Sequence, residues 1–361
     1  MQTIINIIVF LLILGSIIII HELGHFLAAK FFNVYCSQFS IGFGPKIWSK
    51  KGKETAYEIR ALPFGGFVAM AGEEDQIDNE DMQDIPYERT LKGIKTYQKI
   101  IIFVAGVVMN FVLAFVVLFG VNAFSGQLPV NVAQIGSISE GSAADKYHLQ
   151  VNDIIQQIEI VETGQTILVS NYDDIYFTQE GLNTTAETLT MKVTVVRDHN
   201  KVVVPMEVDY NAEAGRYILG ITQQTRRMSF AEAIQYTFVY FGQMSVVIIT
   251  ALSQLITQFT KTVGQLSGPA GIYQITAEVT ETGQISYLFN LLAMLSINVG
   301  VFNLLPIPGL DGCQVLFALV ERVIGRELPQ NLKLTLQMIG LGLVLVLMVF
   351  VTYQDVLRML G

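Results

Sequence analysis

The chain has 361 residues, 52% of them hydrophobic and 15% charged, and its mean hydropathy is +0.48. Soluble domains carry about 25% charged residues, so a soluble globule or a charged disordered tail is excluded and a membrane protein is implied. Twenty-two Lys and Arg against 31 Asp and Glu give a net charge of −9, which argues against a nucleic-acid partner, because a surface that tracks phosphates needs a basic excess.

A spanning helix needs about 20 mostly apolar residues. The first candidate, residues 4–20, lacks the basic start and small-residue cleavage site of a signal peptide, so residues 1–30 are read as a retained first transmembrane helix. Residues 31–96 follow as a loop whose Lys46, Lys50, Lys51 and Lys53 give it the bias of a cytoplasmic segment. Within it, residues 55–60 alternate around Tyr57 and Ile59, and Pro63-Phe64-Gly65-Gly66-Phe67 reads as a turn, predicting a β-hairpin over residues 55–67 that re-enters the membrane. The acidic stretch 72–88 reads as a solvated linker. Residues 97–124 form the second transmembrane helix.

Residues 126–212 are the one soluble-looking island. Strands are predicted over 130–135, from 154 onward, and over 189–197 and 201–208 as a closing hairpin, with helices over 141–146 and 171–179. This order, with its Gly-Ser-Ala-Ala and Asn-Asp-Ile-Ile turns, resembles a circularly permuted bacterial PDZ domain, although Asn152-Asp153 stands where Gly-Asp is usual. Such domains add a peptide as an extra strand, which makes peptide binding an expectation for this island. Residues 213–284 are a linker holding a polar, amphipathic stretch over 233–260 that lies on the membrane or packs on the bundle. Residues 285–312 are the third transmembrane helix, 313–333 a cytoplasmic loop and 334–354 the fourth transmembrane helix. The fold class is therefore a multi-pass α-helical membrane protein with four transmembrane helices, a re-entrant β-hairpin and an inserted PDZ-like α/β domain. By the charge bias of the loops, both termini and that domain are extracytoplasmic.

The sharpest chemical signal is His21-Glu22-Leu23-Gly24-His25. On a helix, a spacing of four places both imidazoles on one face, where they can hold a metal, and the glutamate between them can act as a base. Ionisable groups at bilayer depth cost about 2.5–3.5 kcal/mol each on insertion scales, and a metal is the most direct compensation. A catalytic zinc takes three protein ligands. The other two histidines, His148 and His199, fall in the island and read as surface residues. Asp311, the one charged group at the end of an uncharged run of 29 residues, is the third ligand by this reasoning. Cys313 is a bystander. Asn303, two turns earlier, has a neutral donor and acceptor suited to an oxyanion or a substrate backbone; Asn298 reads equally well as an interhelical hydrogen-bonding group.

His-Glu-Leu-Gly-His in the first span, the PDZ-like insert and Asn303-Leu-Leu-Pro-Ile-Pro-Gly-Leu-Asp311-Gly resemble the site-2 protease family, in its bacterial one-PDZ branch. Gly42-Phe43-Gly44-Pro45, Pro63-Phe64-Gly65-Gly66 and Ser267-Gly268-Pro269-Ala270-Gly271 fit the same branch. Gly106-Val107-Val108-Met109-Asn110 departs from the usual Gly-Pro-x-x-Asn, and Gly309 and Cys313 replace commoner small residues; none of these is expected to touch a ligand. The resemblance implies a Zn2+ held by His21, His25 and Asp311, with Glu22 as general base and Asn303 in the catalytic machinery. It implies cleavage within the transmembrane segments of single-span proteins at the bacterial plasma membrane: anti-sigma factors, signal-peptide remnants or pheromone precursors. The competing readings are a peptide-binding scaffold with a structural zinc, against which stands the three-ligand count, and a proton-relay transporter, which leaves the paired histidine spacing unexplained.

Overall fold

The computed structural model describes residues 2–73, 85–258, 264 and 267–360. Most of the acidic stretch read as a linker, residues 74–84, and the end of the polar stretch before residue 267 lie outside the described residues. Two compact units emerge, Met1–Phe124 with Ala233–Gly361, and Ser125–Glu232.

Helix α1 (Gln2–Phe31) is apolar over most of its length, as a helix solvated by lipid must be, and carries His21, Glu22 and His25 toward its end. It leads into β1 (Cys36–Lys51) and β2 (Ala56–Met70), which are joined at Gly52, whose N–H donates to Thr55 O at 2.8 Å. The hairpin is thus much longer than residues 55–67, and Pro63-Phe64-Gly65-Gly66 lies inside β2 rather than at its turn. The reason is conformational. Gly42, Gly44 and Gly65 have φ of 88°, 83° and 101°, left-handed values that bend both strands, so Phe39 lies opposite Tyr57 on one side and Val68 on the other. The strands curl until residues 66–70 form the outer edge. Polarity is inverted here: Glu58 is buried with Lys46 at 2.6 Å and Arg60 at 2.8 Å, while Phe43, Ile47, Trp48, Tyr57 and Ile59 are exposed. Helix α2 (Thr96–Ser125) returns antiparallel to α1, as the pairing of His25 with Ile102 and of His21 with Asn110 shows.

The second unit holds β3 (Gln127–Pro129), β4 (Ile135–Ile138), the short α3 (Ala143–Lys146), β5 (Ile154–Ile160), β6 (Thr166–Leu168), β7 (Thr188–Arg197), β8 (Asn200–Asn211), β9 (Arg216–Tyr217), β10 (Ile221–Gln223) and β11 (Thr225–Arg227). The main sheet runs β6-β5-β7-β8-β9, with β4–β10 and β3–β11 as separate antiparallel pairs. Leu189, Met191, Val193 and Val195 alternate inward along β7 and join Ile135, Ile155 and Ile158 in the core. The two-residue loop Asp198-His199, with φ of 46° and 65°, gives the β7–β8 hairpin its twist-matched turn. Two predicted elements are shorter or displaced. The strand read over 130–135 is interrupted, because the chain turns from β3 to β4 between Pro129 and Ile135. The helix read over 171–179 is a single 3-10 turn, Tyr172–Ile175, which ends as Phe177 pairs with Tyr217.

After the second unit come α4 (Phe230–Thr257), α5 (Pro269–Glu281), α6 (Ile285–Asn303), α7 (Asp311–Ile324) and α8 (Gln330–Leu360). Among the described residues five helices, α1, α2, α4, α6 and α8, are long and apolar enough to cross a membrane. Helix α4 lies along α2, with Thr237 accepting from Asn122 and Phe241 edge-on to Phe111, and it shares a buried cluster with α6 through Ile248, Leu252 and Ile297. Helix α6 runs parallel to α1, sharing with it the cluster of Ile13, Ile17, Leu291 and Leu295 and ending where Asn303 meets His21.

Candidate metal centre

His21 and His25 stand one turn apart on the face of α1 that meets α2. Two glycines allow that meeting. A Cβ on Gly24 would lie 2.3 Å from Ala105 O, and one on Gly106 would lie 2.3 Å from His25 Nε2 and 2.8 Å from His21 Cε1. Small residues at a crossing let helices approach closely in a membrane. That approach brings Ile102 O within 2.8 Å of His25 Nδ1, which donates its proton there and leaves the Nε2 lone pair facing inward.

Asp311 arrives from the opposite end of the chain. After α6 the backbone reverses through Pro306, Pro308 and Gly309 (φ 94°), and Gly312 packs so tightly that a Cβ would sit 2.3 Å from Leu304 O. Asp311 opens α7 and places Oδ2 3.1 Å from His21 Nε2 and 3.3 Å from His25 Nε2, while the two Nε2 atoms are 3.3 Å apart. Zinc bonds of about 2.0–2.1 Å in tetrahedral geometry require donor–donor edges of about 3.3–3.4 Å. The triangle has that size. Asp311 Oδ2 is buried with no hydrogen bond, and it faces the lone pair of His25 Nε2, a contact of two acceptors that a cation resolves. The donor set therefore fits zinc.

The remaining predicted residues gather around this triangle. Asn303 Nδ2 is 3.3 Å from His21 Nε2. Glu22 borders a cavity of about 330 Å3 that His21, His25 and Asp311 also line. Across the cavity lie Gly66, Phe67, Val68 and Met70 of the outer strand, and Gln337, Met338 and Leu341 of α8 close its side. Gly66 is placed so that a Cβ would approach Glu22 Cγ to 2.9 Å, which brings the strand edge against the glutamate. His148 and His199 are exposed in the second unit, Cys313 is buried, and Asn298 is half-buried. The interhelical bond in this part of α6 comes from Ser296, whose hydroxyl donates to Asn110 O at 2.8 Å.

Residues 9–347 match the family model Peptidase family M50. The chain belongs to that family. It is a zinc metalloprotease of the site-2 type. The Regulator of sigma-W protease RasP of Bacillus subtilis is 30% identical, covering 98% of this chain and 99% of its own. The Zinc metalloprotease RasP of Bacillus licheniformis is also 30% identical with the same coverage, and that of Geobacillus kaustophilus is 28% identical over 98% of each chain.

Val107 is where the second span departs from Gly-Pro-x-x-Asn, and the two residues that keep that pattern, Gly106 and Asn110, meet the histidines. Gly106 abuts both histidines, and the Asn110 amide is buried 3.3 Å from His21 Nδ1. With Nδ2 toward Nδ1, Asn110 Oδ1 is buried without a partner. Turning the amide over lets Oδ1 accept the Nδ1 proton, which would leave the His21 Nε2 lone pair free for a metal, as the outer support of an imidazole ligand does. The sequence signal for this role is a lone amide in an apolar span, where polar groups are costly and seek partners.

Proposed function

We propose that this metalloprotease hydrolyses peptide bonds inside the membrane-spanning segments of single-span proteins, with His21, His25 and Asp311 holding zinc, Glu22 as general base and Asn303 as the amide that orients the reacting carbonyl. The observation that carries this reading is the donor triangle opening onto a cavity walled by the free edge of β2. Bound zinc polarises a carbonyl and makes water acidic enough to attack near neutral pH. Glu22 takes the proton of that water and hands it to the departing amine. Asn303 offers its N–H to the carbonyl oxygen as charge develops there. A peptide bond in a helix keeps its N–H and C=O in the helical ladder, so the substrate must unwind first. The outer strand, residues 66–70, offers the freed backbone a row of hydrogen bonds, holding the segment extended beside Glu22.

Four spans accord with the helix directions. Helix α6 runs parallel to α1 and α2 runs antiparallel, so α2 ends on the side where α6 begins and the chain between them makes an even number of crossings. Helix α5, at 13 residues, is short for a second crossing, which supports reading α4 as packed against the bundle. The inverted polarity of the β1–β2 sheet suits a hairpin that enters lipid. On the charge bias of the loops, the protein sits in the bacterial plasma membrane with both termini and the second unit outside. There the second unit, as a PDZ-like module, screens substrates by the size of their outer part and binds peptide. Membrane-bound anti-sigma factors, signal-peptide remnants and pheromone precursors are the substrate classes proposed.

The test uses purified full-length protein and a model single-span substrate. Glu22→Gln is expected to keep its zinc and lose cleavage, and Asp311→Ala to lose both. Undiminished proteolysis by Glu22→Gln rejects the base assignment.

A further inference from the structure

A second cavity lies away from the metal centre, between the start of α2 and the end of α7, with a volume of about 560 Å3. Five cations line it: Lys92, Lys95 and Lys99 from the approach to α2 and its first turn, and Arg322 and Arg326 from the end of α7. Two carboxylates share the lining, Glu321 and Glu327, and Glu321 is already paired with Lys333 at 2.7 Å. Among the described residues none of the five cations forms an ion pair. In a chain of net charge −9, this is a local excess of positive charge that the two lining carboxylates do not cancel.

The surroundings of the cavity place it at the boundary of the bilayer. Helix α7 leaves Leu316, Leu319 and Val323 exposed, at i, i+3 and i+7 on one face, and Ile324 beside them is half exposed. A short helix with a bare apolar stripe and arginines at its end is built to lie in the headgroup region with that stripe in the acyl chains. Tyr97 lines the cavity and is exposed, and Ile101, one turn further along α2, is exposed. Basic pockets between membrane helices take anionic headgroups.

We propose that this cavity binds the phosphate headgroup of an anionic phospholipid from the adjoining leaflet, with Lys92, Lys95, Lys99, Arg322 and Arg326 around the phosphate and the acyl chains along Leu319, Val323 and Ile101. A free phosphate satisfies the charge but not the apolar stripe, and the lipid satisfies both. The bound lipid ties α7, which carries Asp311 at its other end, to the start of α2, which carries Ile102 and Gly106 against the histidines. The site does not depend on the proposed proteolysis, and its test reads binding alone.

The experiment is native mass spectrometry of the full-length protein in neutral detergent, titrated with dioleoyl-phosphatidylglycerol, dioleoyl-phosphatidylcholine or inorganic phosphate. The phosphatidylglycerol adduct is expected at least tenfold tighter than the phosphatidylcholine adduct. Each basic residue near a membrane surface is worth about a factor of five in binding, so Lys95→Gln/Arg322→Gln/Arg326→Gln is expected to weaken the adduct about a hundredfold. Removing the same charge elsewhere, in Lys50→Gln/Lys51→Gln/Lys53→Gln, leaves it within twofold. Should the first triple variant fail to fold, Arg322→Gln and Arg326→Gln, both at exposed positions, are read singly, each with about a fivefold loss. Equal binding of the two lipids, an unaffected cavity variant, or an equal loss in the hairpin variant overturns the proposal. Displacement of the lipid by millimolar phosphate assigns the site to a free anion and overturns it too.

Discussion

Replacing Gly106 by alanine tests whether the α1–α2 crossing sets the metal geometry. The added Cβ would stand 2.3 Å from His25 Nε2 and 2.8 Å from both His21 Cε1 and His25 Cε1. Nonbonded heavy atoms settle at about 3.5 Å, so the His25 ring or the whole of α1 must withdraw by about 1.2 Å. Ligand distances in a zinc site tolerate about 0.2 Å. A displacement several times larger removes His25 from the donor set, and the loss of zinc affinity should exceed the 10–100-fold typical of changes in the outer support of a metal ligand. Local relaxation is restricted, because Gly24 already presses on Ala105 and because Ala29 and Ile102 are fully buried in the adjoining cluster. Gly120→Ala is the control. It lies on the same helix, where a Cβ meets nothing within 4 Å, and alanine there should be neutral or stabilising. Zinc per chain is measured on purified protein by elemental analysis, alongside cleavage of the model substrate and the melting temperature in detergent. The Gly106→Ala protein is expected to be folded, depleted of zinc and inactive, beside a fully loaded and active Gly120→Ala protein. A Gly106→Ala protein with one zinc and wild-type cleavage refutes this expectation.

Asn110 offers a finer test, since Asp keeps a carboxylate acceptor opposite His21 Nδ1 whereas Leu has none. Asn110→Asp is expected to retain measurable zinc and Asn110→Leu to lose 10–100-fold in affinity; the opposite order, read by competition with a chromogenic chelator, would show that the amide acts as a donor. Removing zinc with a chelator should abolish cleavage, and stoichiometric zinc should restore it in the wild type but not in Asp311→Ala. In the second unit, Asp153 is buried and bound through both oxygens by Arg197, at 2.8 and 2.7 Å. Truncating Asp153 to Ala leaves a partly solvated guanidinium half unpaired at the core edge and should destabilise that unit by about 1–3 kcal/mol, seen as faster amide exchange in β5 and β7 of the full-length protein.

The long apolar helices and the meeting of His21, His25 and Asp311 were legible because both are written in contrasts a linear reading detects: long uncharged runs, and charged or imidazole groups where the surroundings forbid them. The curled β1–β2 sheet was harder to read. Its apolar residues face outward while Glu58, Lys46 and Arg60 pair, so the alternation around Tyr57 and Ile59 has the right period and the opposite meaning from a soluble strand. The Pro63-Phe64-Gly65-Gly66 segment carries every residue type of a turn, yet Gly65 uses its left-handed backbone to bend a strand instead. In the second unit the β7–β8 hairpin was readable from alternation alone. The helix read over 171–179 was not, because only the capping box Asn171/Asp174 is local, whereas the pairing that ends the turn involves Tyr217, some 40 residues away.

The supporting residues of the metal centre escaped the sequence for a different reason. Glycine in an apolar helix has no periodic signature: Gly15, Gly24, Gly106 and Gly120 look alike in the chain, yet a Cβ meets nothing at the first and last and collides with backbone or ligand at the middle two. Only the crossing distinguishes them. Because Gly24 and Gly106 occupy the same contact, helix packing and metal geometry form one constraint. Ile102 O can fix the His25 tautomer, and Asn110 can reach His21, only at the separation that both glycines permit. Substitutions at this contact should therefore lower zinc occupancy before they lower helix association. A substitution on the exposed side of α2, such as at Val112 or Val116, has no route to the metal.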